Sequence, residues 1–312
     1  MKKTYTNIIW ILSCLVFFTG CGDDTQKPGR DIPTMGKITI AVDEAYRPIM
    51  ASHIDIFNAD YKDAHIGVIY RPEEEAVRAM MMDSVRLYIA PRDLTSKEKE
   101  YLKQRNHIVR TTPIAKDGVA LITNPSQGEV KLTMQQLQAI LAGTVKTWDE
   151  VGVSGGNIQI VFDNPNSSAV HYIRTTLCPN NVLPPNTFAT KNNNEVIDHV
   201  SKNAGALGII GVSWISDKDN AQVRGFLSKV NVVALSKAAG EEYFQPYQAY
   251  LATKEYPLTR ELFMVSREDH VGLGRGFVNF VASDRGQRIF LKSGLVPATI
   301  PTRVIKTKSE PL

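Results

Sequence analysis

Little in this sequence speaks for a stapled or metal-held protein. Its 312 residues contain three cysteines, Cys14, Cys21 and Cys178, too few and too scattered for a disulfide framework. The six histidines, His53, His65, His107, His171, His199 and His270, never stand three or four residues apart, so a helix-borne zinc site is not expected. No metal site, cofactor or catalytic residue is assigned: no Ser-His-Asp order is diagnostic, and Gly272-Leu273-Gly274-Arg275-Gly276 lacks the strand and spacing of a nucleotide fingerprint. Neither sign of charge dominates, with 36 Lys and Arg against 32 Asp and Glu and a formal charge of +4, which gives no basis for nucleic-acid binding. What is present is 43% hydrophobic residues, enough to exclude a disordered chain, in a length that accommodates two lobes with a cleft between them.

The longest apolar run, Ile8 to Phe18, follows Lys2 and Lys3 and is shorter than the ~20 residues a bilayer core needs. It reads as the hydrophobic region of a secretory signal over residues 1–20. Phe18-Thr19-Gly20-Cys21 resembles the bacterial lipobox, with Phe18 where the pattern prefers Leu. That resemblance implies cleavage before Cys21 and its acylation as a membrane anchor, with residues 21–36 as lipidated N-terminus and tether; a plain signal peptide or an uncleaved anchor is the alternative. Removing the first 20 residues, with Lys2 and Lys3, leaves 292 residues and takes the formal charge from +4 to +2. Cys178 is then the one thiol left free, expected as a small buried apolar residue.

From Gly36 onward β-branched runs alternate with helical patterns. Strands are expected at Ile38–Val42, His65–Tyr70, Val85–Ala90, Ile108–Thr112, Gly118–Thr123, Ile158–Phe162, Ala206–Ile210, Val230–Leu235, Leu262–Val265 and, less regularly, Tyr250–Lys254. Helices are expected at Arg47–Asn58, Glu73–Met82, Ser96–Gln104, Thr133–Ala142, Ser168–Thr176, Asn194–Lys202, Gly274–Ala282 and Asp284–Ser293. The Pro- and Asn-rich stretch from Cys178 to Asn194 reads as a long loop. This alternation implies an α/β protein with mainly parallel sheets covered on both faces.

Three separated stretches carry a resemblance. Asp117-Gly118-Val119-Ala120-Leu121-Ile122, followed by Leu132-Thr133, Leu137, Ile140, Gly143 and Trp148, is similar to a pattern of the phosphate-binding-protein family of bacterial ABC importers. Gly205-Ala206-Leu207-Gly208-Ile209 resembles a second block of that family. Tyr256-Pro257-Leu258 with Arg260, then Phe277, Phe280, Ser283, Gly286-Gln287, Gly294 and Pro297, resembles its C-terminal block. The resemblance spans residues 37 to 298 and implies a two-lobed type II periplasmic-binding-protein fold. One lobe would take residues 37–118 plus 247–312 and the other 119–246, each a mostly parallel sheet flanked by helices.

The same resemblance, together with the rule that open α/β sheets bind ligands beyond the carboxyl ends of their strands, points to four loops. Ala45-Tyr46 stands where the family has a Thr-aromatic pair on an oxyanion, so the backbone donors persist while the hydroxyl is gone; Arg47 follows. Asp163 falls where the family carries an Arg, and Asn166, Ser167 and Ser168 lead into a helix N-terminus whose free N–H groups suit an anion. Ser167 either donates to that anion or caps its own helix. Arg92 retains the basic residue of an "S-R-x-L" turn, and Arg47 and Arg92 serve either an anion or surface ion pairs. Glu73-Glu74-Glu75 reads as a solvated acidic helix start.

The function these readings imply is a lipid-anchored envelope solute-binding protein, monomeric, holding phosphate or a similar small anion and presenting it to an ABC permease. The altered loops keep open a second reading, in which the fold serves as an envelope sensor or protein-interaction lipoprotein without phosphate transport.

Overall fold

The alternation of strand and helix patterns is realised in the computed structural model, which describes residues 31–302. Cys21, the signal segment and most of the tether lie outside the described residues. The first part of the chain builds β1 (Gly36–Asp43), α1 (Arg47–Asp60), β2 (Ala64–Arg71), α2 (Glu73–Met81), β3 (Leu87–Ala90), α3 (Ser96–Lys103) and β4 (Arg110–Thr123). The middle builds β5 (Lys131–Thr133), α4 (Met134–Leu141), β6 (Gln159–Phe162), α5 (Ser168–Thr176), β7 (Thr187–Ala189), α6 (Asn193–Lys202), β8 (Ala206–Gly211) and α7 (Ala221–Leu227). The last part adds β9 (Asn231–Val232), β10 (Ala234–Ser236), α8 (Gln248–Ala252), β11 (Thr259–Ser266), α9 (Leu273–Ala282), α10 (Asp284–Lys292) and β12 (Val296–Pro297).

The main strand order is β2-β1-β3-β11-β4-β8-β6-β7. Two parallel triplets, β2-β1-β3 and β8-β6-β7, flank an antiparallel centre made by β11 and β4. Strand β4 joins the halves: Arg110 to Gly118 pairs with β11, and Val119 to Thr123 pairs with β8. It was expected as two strands, broken around Pro113 to Asp117. The break is absorbed as a bulge, because the register with β11 shifts between Leu262, opposite Ala115, and Phe263, opposite Pro113. A proline is tolerated where the ladder is locally irregular.

Other boundaries moved for similar reasons. Tyr250 to Lys254 covers the end of the short helix α8 and the turn after it rather than a strand, and Val230 to Leu235 splits into β9 and β10, which pair with different partners. The expected loop after Cys178 carries β7, an edge strand parallel to β6, and α7 had no counterpart in the periodicity. Thr95 and Thr133 cap α3 and α4, each with a Glu or Gln three residues on returning the bond. Cys178 is buried, as expected for an inert thiol.

The motif residues meet one another as packing partners. Trp148, fully buried, donates through Nε1 to the Gly205 carbonyl at 3.0 Å. A side chain this large contributes about 1.5–3 kcal/mol through burial. The Gln287 side chain donates to the carbonyls of Ile114 and Val281 at 3.0 and 2.9 Å, tying α10 to β4. Tyr256 donates to the Val119 carbonyl at 2.8 Å, just past the place where β4 changes partners.

Gly118 sits at that change of partners. A Cβ there would lie 2.9 Å from the Leu258 carbonyl oxygen and 2.9 Å from Leu251 Cδ2. Backbone on one side leaves no flexible neighbour to yield. Gly118→Ala is therefore expected to lower stability by about 1–3 kcal/mol, read as a lower urea midpoint with unchanged slope; an unaltered midpoint would show that the two strands part freely here.

Candidate functional site: a buried polar crevice at the strand ends

The turn after β1 begins with Asp43, whose Oδ1 accepts from the Ala45 N–H at 3.2 Å and starts a single turn of 3-10 helix through Tyr46. Pro48 in the first turn of α1 then sets the helix direction. Glu73 opens α2 at the end of β2, Asp163 follows β6, Ser167 and Ser168 open α5, Asn193 opens α6, and Ser213 follows β8. Every one of these positions lies just beyond the carboxyl end of a strand, where open α/β sheets bind ligands. The two halves are in contact there. Ser213 Oγ donates to the Ala45 carbonyl at 2.6 Å, and Arg174 on α5 bonds Glu74 on α2 at 3.3 Å.

At the floor of the crevice Arg260 of β11 donates to Asp117 Oδ2 from Nη2 at 3.1 Å and from Nε at 3.3 Å. Tyr46 donates to the same oxygen at 2.7 Å, and its ring centroid lies 5.6 Å from the guanidinium. Burial opposes the charge on Arg260, but Tyr46, Asp117 and Asp43 together keep its pKa above the usual guanidinium value. On the wall, Arg92 holds Glu98 through two bonds of 2.9 and 3.0 Å. Against the desolvation of partial burial, Arg92 and the Thr95 backbone pull the Glu98 carboxyl down to about 2.

The remaining acids are not balanced in this way. Asp43 is fully buried, and Glu73 is 1% exposed with Arg92 Nε at 3.6 Å and His171 Nδ1 at 3.8 Å. Desolvation, with Glu73 adding its repulsion, pushes Asp43 up to about 8, against the pull of Ser168 and Arg260. Desolvation likewise raises Glu73 to about 7 although Arg260 and Arg92 oppose it. Burial raises Asp163 too, while Ser167 and neighbouring backbone N–H groups lower it and Asn193 donates to its Oδ2 at 3.2 Å. Burial and the nearby Arg92 and Arg174 push His171 down, toward a neutral imidazole.

Several buried atoms here have no hydrogen-bond partner among the described residues. They are the acceptors Asp43 Oδ2, Glu73 Oε1, Asp117 Oδ1, Asp163 Oδ1 and Asn193 Oδ1, with the Arg260 Nη1 and Arg92 Nε donors, the His171 Nδ1 ring nitrogen and the Ser168 hydroxyl. Buried polar atoms are rarely left so. Their concentration at one place makes this cluster the candidate site for a small polar solute.

The structure gathers part of the expected set. Ala45, Tyr46, Arg92, Asp163, Ser167 and Ser168 are in or against the crevice. Ser167 accepts from the Val170 N–H at 3.3 Å and so caps α5, while Ser168 carries the free hydroxyl. Arg47 is not brought in: it lies outside, paired with Glu44 at 2.7 Å and stacked 4.0 Å from the Tyr70 ring centroid. The Asn166 side chain is exposed, and the residue's backbone carbonyl receives the Glu74 N–H at 3.5 Å. Glu73 is a correction, since a residue expected as a solvated helix start is instead inside the crevice. Arg260, Asp117, Asp43 and Asn193 were not foreseen as site residues. A charged residue inside an apolar strand pattern was the available signal for Arg260 and Asp117.

Gly152-Val153-Ser154-Gly155-Gly156 has the spacing of a hydrolase nucleophile elbow, but it follows a 3-10 turn and precedes β6, without the strand-to-helix setting an elbow needs.

Residues 30–285 match the PBP superfamily domain, which is most of the chain. The chain belongs to the PBP superfamily. Among its relatives, the phosphate-binding protein PstS of Bacillus subtilis (strain 168) is 22% identical over 308 residues, covering 96% of each chain. PstS of Staphylococcus aureus (strain USA300) is 25% identical over 248 residues, 77% of this chain and 72% of its own. Of solved structures, a phosphate ABC transporter substrate-binding protein from Clostridium perfringens with bound phosphate superposes with a TM-score of 0.72 at 22% identity, covering 85% of this chain and all of that one. An ABC-type phosphate transport receptor from Vibrio cholerae gives 0.64 at 18% identity, over 84% of this chain and all of that one. The fold is thus the two-lobed α/β fold of periplasmic binding proteins.

The buried acids make stability depend on pH. Asp43 and Glu73 keep their protons in the folded protein up to about 8 and about 7, whereas an unfolded carboxyl releases its proton near ~4. Between those limits the folded state binds more protons, so stability falls as pH rises from ~4 and levels off above ~8. The melting temperature of the ligand-free protein should fall from pH ~5.5 to ~8, and Asp43→Asn should flatten the decline. A melting temperature that rises over this interval would contradict the protonated crevice.

Proposed function

We propose that this chain is a lipid-anchored, extracytoplasmic solute-binding protein that holds phosphate or a similar small oxyanion between its lobes and presents it to an ABC-type importer. The observation that carries the reading is the crevice itself, where partnerless polar atoms from both halves converge beyond the strand ends. Phosphate comes from the relatives, whose names give it as their solute. The lobes are taken as residues 37–118 with 247–312, and 119–246, in keeping with the change of partners along β4 between Gly118 and Val119. Attachment is assigned to acylated Cys21 on the lipobox resemblance of Phe18-Thr19-Gly20-Cys21.

A second reading has its own support. Three buried carboxyls, Asp43, Glu73 and Asp163, stand together, and among the described residues only Glu73 of these has a guanidinium within ion-pair distance, Arg92 at 3.6 Å, which is itself held by Glu98; this arrangement repels a fully ionised oxyanion. That favours an envelope sensor or interaction protein that has given up phosphate. Isothermal titration with inorganic phosphate near pH 6 decides between the two: a saturable heat at one phosphate per chain is expected, and no heat at millimolar phosphate in a folded sample removes the transport reading.

Membrane attachment is checked separately. Cys21→Ser should move the protein from the membrane fraction to the soluble fraction; persistent sedimentation with membranes would refute acylation at this residue.

A further inference from the structure

We propose that the crevice takes up its oxyanion together with protons on Asp43 and Glu73, whose carboxyl groups then donate hydrogen bonds to the bound anion. This rests on the oxyanion reading above. The argument starts from which charges are already committed. Arg260 is engaged by Asp117, and Arg92 is held bidentately by Glu98, so neither guanidinium is free to neutralise a newly arrived anion in full. Asp43 is faced by Tyr46 from its own turn, Glu73 from α2, Ser168 from α5 and Arg260 from β11. Glu73 is faced by Glu74 on its own helix, Arg92 and Glu98 from beyond β3, Tyr88 on β3, His171 on α5 and Arg260.

With both acids ionised, an anion would enter a dry, net negative space, where repulsion is strong and water cannot screen it. An ionised carboxylate also offers acceptors only, which the unprotonated oxygens of an oxyanion cannot use. One proton on each acid removes both obstacles. The charge falls, and Asp43 Oδ2 and Glu73 Oε1, the oxygens without partners, become O–H donors beside the Ser168 hydroxyl and Arg260 Nη1. With Asp43 raised to about 8 and Glu73 to about 7, most of these protons are already on the site below neutral pH, so uptake on binding appears mainly above it. Asp163 is left out because several groups already favour its ionised form: the Asn193 amide at 3.2 Å, the Ser167 hydroxyl and neighbouring backbone N–H groups.

The test is calorimetry with inorganic phosphate at pH ~8.5 in two buffers of different ionisation enthalpy, which counts protons bound per phosphate. Uptake of about one to two protons is expected, with affinity falling up to about tenfold per pH unit for each coupled proton. The double variant Asp43→Asn, Glu73→Gln keeps amide donors at both places and cannot titrate. It should bind at pH ~8.5 at least as tightly as the parent and take up fewer protons. Uptake that persists unchanged in the variant would assign the protons to phosphate itself and overturn the proposal, as would heat without uptake or affinity that rises with pH. No heat at any pH from ~5.5 to ~8.5 would remove the oxyanion reading, and this one with it. The count on the unaltered protein stands whether or not the variant folds.

Discussion

The ion pair between Arg260 and Asp117 is the constraint on which the rest of the structure depends. Both residues are buried, both sit on the antiparallel strands at the centre of the sheet, and a buried charge without its partner costs several kcal/mol. The pair therefore fixes β11 and β4 in one register just where β4 passes from one half of the molecule to the other. Tyr46 adds a third group to the same carboxylate oxygen and carries the constraint to the turn after β1. The opening turn of the crevice is thus tied to its floor through a single Asp117 oxygen. Because Asp117 occupies Arg260, the guanidinium is largely neutralised before any solute arrives.

That prior commitment shapes the electrostatics above it. A site built to clamp a dianion presents free guanidinium and free N–H groups. This one presents a matched Arg260–Asp117 pair, a matched Arg92–Glu98 pair and carboxyls driven toward neutrality by burial. Contacts across the crevice, Ser213 to Ala45 and Arg174 to Glu74, bring the halves together around these groups. Closing a two-lobed body in this way excludes water and strengthens every interaction inside. Asp43 and Glu73, buried beside each other, each favour the neutral form, since two ionised neighbours there would repel.

The fold was legible in the sequence to a large extent, and the reason is visible in particular residues. Gly118 and Gly205 leave no room for a Cβ, Trp148 needs the Gly205 carbonyl, and Gln287 needs those of Ile114 and Val281. Such requirements are satisfied by one residue type at one spacing, so they leave a readable pattern. The periodicity failed where tertiary pairing overrode it, in the bulge that keeps β4 whole past Pro113 and in the helical state of α8.

The site was legible only in part, because what decides it is burial and not residue type. Three consecutive glutamates at a helix start describe a solvated end equally well as a buried one, and nothing local tells Glu73, 1% exposed, from Glu74 beside it. Helix geometry separates them by turning neighbouring side chains about 100° apart, and only the packing of α2 against the strand ends settles which one faces inward. The same holds for Arg47 and Arg92, read alike as anion contacts. Arg47 finds Glu44 one helical turn away and stays outside, whereas Arg92 reaches Glu98 across a tight turn and is drawn against Glu73. Ligand chemistry in this fold is therefore set by which acids the lobes enclose, a property of the closed pair of lobes that no single loop carries.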